Sequence, residues 1–190
     1  MKKFLTILPL VAILLASTAC NQKRQWTHEQ RKQMRETLRD YRRMAYLEDL
    51  TDPEFVIFTD DVATDLEQSF PVYTTFVAMP AVDDTVEYYV VTTIVEDLRD
   101  DARNMAHIYP YDRLVANGVL PSGLDREQQH AFYRCMAGQI DTQFGSLGEF
   151  FKAVWNSDTT PRQVQAIQQS CADDLFDWQV TITEMDIIED

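Results

Sequence analysis

The chain has 190 residues, of which 45% are hydrophobic and only twelve are Gly or Pro, so it can bury a core and fold rather than remain disordered. Its net charge of −14 sets it against nucleic-acid phosphates and excludes nucleic-acid binding as an expected role. Three cysteines are too few for a disulfide-dense scaffold.

The chain opens with Met1-Lys2-Lys3, a short cationic stretch, followed by an apolar run from Phe4 to Ala16 and the small residues Ser17, Thr18 and Ala19. A positive start, a short apolar stretch and small residues before a cut describe a secretory signal over residues 1–19. Cys20 follows immediately, and the arrangement resembles the lipobox of bacterial lipoproteins. That resemblance implies that Cys20 becomes the acylated N-terminus of the mature chain, with more than one fatty chain and therefore stable membrane anchoring. Ser17 stands where the family usually has Leu, and Ser17-Thr18-Ala19 also fits an ordinary signal-peptidase site, which would release a soluble protein. Asn21 is not the Asp associated with retention at the inner membrane, so the expected address is the periplasmic face of the outer membrane. The resemblance stops at Cys20; no family is recognised for the 171 residues from Cys20 onward, a length suited to one domain.

Charge divides the rest unevenly. Residues 23–43 hold eight cations and three acids, whereas residues 44–190 hold seven cations and twenty-eight acids. A basic collar thus precedes a strongly acidic body. The collar can face anionic headgroups or pair with the acidic body of its own domain, and the ever-present internal partner favours the second.

Residues 20–26 read as a lipidated polar tether, and residues 27–178 as one helical domain. Thr27 with Gln30 forms the pattern of a capping box, and Met34, Leu38, Tyr41 and Ala45 continue at helical spacing to about residue 50. Thr51-Asp52-Pro53 then stops that helix and caps a second, with a stripe of Phe55, Phe58, Val62, Leu66 and Phe70. Pro71 to Met79 has room for a turn or two before Pro80.

Residues 86–95 are rich in β-branched and aromatic side chains. Yet Val86, Val90, Ile94, Leu98, Ala102 and Met105 keep helical spacing for longer than a strand runs, with Asp84 and Glu87 as a cap, so a buried helix is predicted. The alternative is a small β pairing of 86–95 with the C-terminal tail. A short helix follows Pro110 and stops at Asn117-Gly118. Asp125 to Gln128 caps a long helix with a stripe of Phe132, Cys135, Met136, Ile140 and Phe144, ended by Gly145. Ser146 with Glu149, and Thr160 with Gln163, read as two further capping boxes. Residues 179–190 form an acidic tail. The fold class is all-α.

Candidate sites are few. Cys135 and Cys171 lie on the apolar stripes of two helices, and in an oxidising compartment they are expected to pair. Closing that loop would add about 3–4 kcal/mol in a chain-entropy treatment. His28, His107 and His130 have no ligand spacing, so no metal or cofactor is expected. Asp60-Asp61 with Asp65, Asp83-Asp84 with Glu87, Glu96-Asp97 with Asp100-Asp101, and Asp173-Asp174 with Asp177 read as solvated faces rather than calcium loops. Ser122 belongs to a turn. Phe144, Phe150, Phe151 and Trp155 read as core, and Tyr109-Pro110-Tyr111 as either a partner-contacting loop or packing around a helix start. No motif supplies a nucleophile or a base, so an enzyme is not expected. The function expected is that of a lipid-anchored envelope protein whose acidic surface engages a protein or cell-wall partner. The alternative is a binding module for a small cationic ligand or a divalent ion.

Overall fold

The computed structural model describes residues 26–157 and 159–178. The signal expected over 1–19, Cys20 with the expected tether through residue 25, and the tail from 179 lie outside the described residues. Every element within them is helical, and no strand occurs among them.

Helix α1 (His28–Leu38) begins where Thr27 accepts from the Gln30 amide at 3.2 Å and the Gln30 side chain accepts from the Thr27 amide at 2.8 Å. Met34 and Leu38 are buried, as their spacing predicts. The helix does not continue to residue 50. A 3-10 turn (Arg39–Arg43) follows, Met44 is extended, and α2 (Ala45–Asp49) starts afresh. Met44 and Tyr46 would lie on nearly opposite faces of one straight helix at about 100° per residue. The break at Met44 lets Met44, Tyr46 and Leu47 all enter the core.

The second helix matches expectation: α3 (Asp52–Ser69) carries a reciprocal Thr51–Glu54 capping box and Pro53 in its first turn. It buries Phe55, Phe58, Val62 and Leu66. A single turn, α4 (Tyr73–Phe76), precedes α5 (Val82–Asp100). Helix α5 begins two residues before Asp84, so Asp83 and Asp84 sit in its first turn instead of capping it; carboxylates there suit the helix dipole. Val86, Val90, Ile94 and Leu98 form its buried face, so i, i+4 burial overrides the β propensity of 86–95. The pattern then passes into a 3-10 segment (Ala102–His107) that buries Met105.

Helix α6 (Tyr111–Ala116) stops at Gly118, whose φ of +71° is open to glycine without strain. Asp125 and Gln128 cap α7 (Arg126–Phe144) reciprocally, and Gly145 ends it at φ +76°. Ser146 caps α8 (Leu147–Trp155) by accepting from the Glu149 amide at 3.1 Å, while the Glu149 carboxylate turns to Lys152. The capping box expected at Thr160 is not formed. Pro161 takes the cap position of α9 (Arg162–Phe176), and Thr160 contributes its carbonyl to the Gln165 side chain.

Helix α5 joins the two halves: it packs on α3, which carries α1, and on α8, which packs with α7. Helix α9 lies along α7, whose other neighbour is the 102–107 segment. One core therefore runs through the domain. It includes Trp26, which the composition of its neighbours had placed in the tether; only 4% of it is exposed.

Candidate functional site

Three cations of the basic collar turn inward. Arg31 pairs with the buried Glu67 of α3, Arg35 with Asp60 at 2.6 Å, and Arg42 with the Leu50 carbonyl at 2.5 Å while stacking over the Phe55 ring. The two α1 arginines thus meet acids on one face of α3, the arginines one helical turn apart and Asp60 and Glu67 two turns apart. Glu67 also accepts from the Trp26 amide at 3.3 Å, and the Trp26 indole donates to the Phe70 carbonyl at 2.8 Å.

With those cations engaged, other acids of α3 and α5 lie near the seam between the two helices, where the Asp61 charge reaches Asp97. Asp61 and Asp65 come from α3; Glu96, Asp97 and Asp100 come from α5. Burial pushes the Asp97 carboxyl up, and the charges of Asp61, Asp100 and Glu96 push it further. Asp61 is raised in the same sense by burial, then by Asp65 and Asp60. Among the described residues, no salt bridge engages Asp61, Asp65, Glu96, Asp97 or Asp100.

Behind Asp97 lies a polar seam. The Tyr46 hydroxyl donates to Asp97 at 3.2 Å, and the Asn104 amide donates to the Asp97 carbonyl at 2.8 Å. Burial, followed by the Asp97 charge, raises the Tyr46 hydroxyl far above its ordinary range and keeps it protonated. The Tyr46 ring meets His107 edge-on at 5.3 Å, and His107 Nδ1 lies 2.9 Å from the Asp49 carboxylate. This seam ties α2, α5 and the 102–107 segment together. Within it the imidazole Nδ1 is turned to Asp49 and the phenol to Asp97, and among the described residues no Ser, Thr or Cys side chain is bonded to either pair. The His107–Asp49 contact has no signature in the chain, because its partners are 58 positions apart.

The other singled-out residues fall as follows. Cys135 and Cys171 are at disulfide-bonding distance, with Cα atoms 5.8 Å apart, and link α7 to α9. Phe150 and Phe151 are fully buried, Phe144 packs edge-on against Phe150 at 5.6 Å, and Trp155 stands at the rim. The Tyr109–Tyr111 segment packs around a helix start. Tyr109 is buried and accepts the Tyr133 hydroxyl on its carbonyl at 2.8 Å, while the Tyr111 hydroxyl bridges Pro121 and Leu124. Ser122 is exposed beside Gly123 in the turn. Among the described residues there is no group of three or more His, Cys, Asp or Glu side chains placed to hold a metal ion. Nor is any helix among them long and apolar enough to cross a membrane. No protein-family description, curated protein or solved structure matches the chain.

Proposed function

We propose that the protein is a lipid-anchored component of a bacterial cell envelope, acylated at Cys20 and held at the periplasmic face of the outer membrane, where its helical domain binds a cationic protein or cell-wall partner without catalysing a reaction. The observation that carries the binding part is the approach of the α3 and α5 acids. Two carboxyls are raised by burial first: Asp97 then by Asp61 across the helix pair and by Asp100 and Glu96 on its own helix, Asp61 then by Asp65 and Asp60 beside it, and no salt bridge among the described residues relieves either. A cationic partner laid across that face would relieve the repulsion, and complementary charge of this kind selects partners and speeds their encounter. Arg31 and Arg35 of the basic collar are engaged instead with Glu67 and Asp60. The Cys135–Cys171 geometry supports an oxidising compartment, where such a pair persists as a bond.

Photocrosslinking in intact cells from the position of Asp65 tests this reading. One dominant basic protein or cell-wall adduct is expected, weakened by raised salt and by the pair Asp61→Asn and Asp97→Asn. Labelling that ignores both salt and those substitutions rejects the acidic face as the binding surface. Thermal unfolding with and without calcium separates the runner-up: a ligand specific to the folded state raises the midpoint, and a calcium-dependent rise would favour an ion-binding module.

A further inference from the structure

We infer that the uncharged segment around α4 is the face that the domain lays against the lipid bilayer, an inference that rests on acylation at Cys20. From Gln68 to Val82 the chain runs fifteen residues without a charge, although a quarter of all its residues are charged. This stretch is not simply core. Val72 is 51% exposed and Val77 44%, and Pro71, Ala78, Pro80 and Ala81 are exposed with them.

The segment also sits where the anchor would join the domain. Trp26 stacks on Phe76 of α4 at 5.7 Å, meets Tyr73 edge-on at 4.9 Å, and donates to the Phe70 carbonyl. The tryptophan is thereby fastened to α4, and the exposed Val72 and Val77 flank the same Tyr73–Phe76 turn. Six peptide units separate Cys20 from Trp26, and even fully extended they reach only about 20 Å. A lipid chain on Cys20 would therefore hold this segment within reach of the headgroups.

Charge then decides which face turns inward. Anionic lipid repels the acidic body, whereas the stretch with no charge meets the surface without that repulsion. Valine and proline side chains bury apolar area at the headgroup boundary, whereas the aspartates of α3 and α5 stay in water. Two valines are too little to hold a protein on a membrane alone. The acyl chains supply affinity, and the segment supplies orientation.

The test uses the mature protein extracted from membranes and reconstituted into vesicles of phosphatidylethanolamine with a minority of phosphatidylglycerol, their acyl chains brominated to quench tryptophan. Val77→Trp, placed in a chain carrying Trp155→Phe and Trp178→Phe, provides the reporter, and the same chain without it corrects for Trp26. Because Val77 is exposed, the fold should survive, which circular dichroism checks. Expected is quenching of the reporter severalfold stronger than that of native Trp155 and Trp178, with most of the excess lost when Val72→Glu is added. With Cys20 shown acylated by intact mass, a reporter quenched no more than Trp155 and Trp178 overturns the inference and leaves the anchor standing. An unmodified Cys20 in the same sample overturns both. In-cell crosslinks from position 77 to a protein, with no vesicle quenching, would assign the face to a protein partner and also overturn it.

Discussion

Helix α1 and helix α9 are both fastened to a longer neighbour, but by different chemistry. Helix α1 is held on α3 through charge: Arg31 on the buried Glu67 and Arg35 on Asp60, with Glu67 also serving the Trp26 amide. Helix α9 is held on α7 through sulfur and apolar carbon: Cys171 beside Cys135, with Val164, Ile167 and Ala172 fully buried. The first fastening places a carboxylate in the core and is sensitive to the loss of one polar partner. The second depends on burial and on the redox state of two thiols. In an acidic chain the first arrangement has a further consequence, because it spends Arg31 and Arg35 on Glu67 and Asp60 and not on the remaining α3 and α5 acids.

Four changes break or sharpen this contrast. The largest effect is expected on the apolar side: Phe151→Ala removes a fully buried ring and should cost about 3–5 kcal/mol of unfolding free energy, read from urea unfolding. Replacing both cysteines, Cys135→Ser with Cys171→Ser, should cost about 3–4 kcal/mol in the non-reducing protein, and reductant should then have no further effect on the midpoint. Glu67→Leu leaves Arg31 and the Trp26 amide without their acceptor, and a loss of about 1–3 kcal/mol is expected, accompanied by altered Trp26 fluorescence. Reductant should leave that variant's additional deficit unchanged, since its fastening contains no sulfur.

The smallest effect has the opposite sign. Because folding raises the Asp97 carboxyl, the native state holds this proton more tightly than the unfolded chain. Its contribution to stability is therefore greatest in acid and is lost as pH rises from the unfolded pKa through the higher folded one. Asp97→Asn keeps an oxygen for the Tyr46 hydroxyl and removes the repulsion from Asp61. It should stabilise the domain at neutral pH by less than about 1 kcal/mol, and the gain should vanish in acid below the ordinary carboxylate range. Stabilisation of equal size at both pH values would show that ionisation of Asp97 is not the cause.

Much of the helical layout was legible because its signals are local. Thr27 with Gln30, Thr51-Asp52-Pro53 and Asp125 with Gln128 each mark a start within four residues, and Gly118 and Gly145 mark stops. The buried stripe of α5 was readable against its β propensity for the same reason: i, i+4 spacing needs no knowledge of the neighbour. What escaped was tertiary. The break at Met44 is imposed by apolar residues that must all reach one core, and Trp26 is drawn in by Glu67 and Phe70, more than forty positions away. At Thr160 the local pattern was present but unused, because Pro161 occupies the cap. The acidic clusters were visible as clusters. Which of them face one another depends on how α3 packs on α5, and only the fold supplies that.

The account depends most on what happens at Cys20, and the intact mass of the protein recovered from the membrane fraction addresses it directly. The predicted result is a chain that begins at Cys20 and carries the added mass of a diacylglyceryl group and an amide-linked fatty acid. A chain that retains Met1, or begins at Cys20 with a free thiol, would contradict the anchored envelope role.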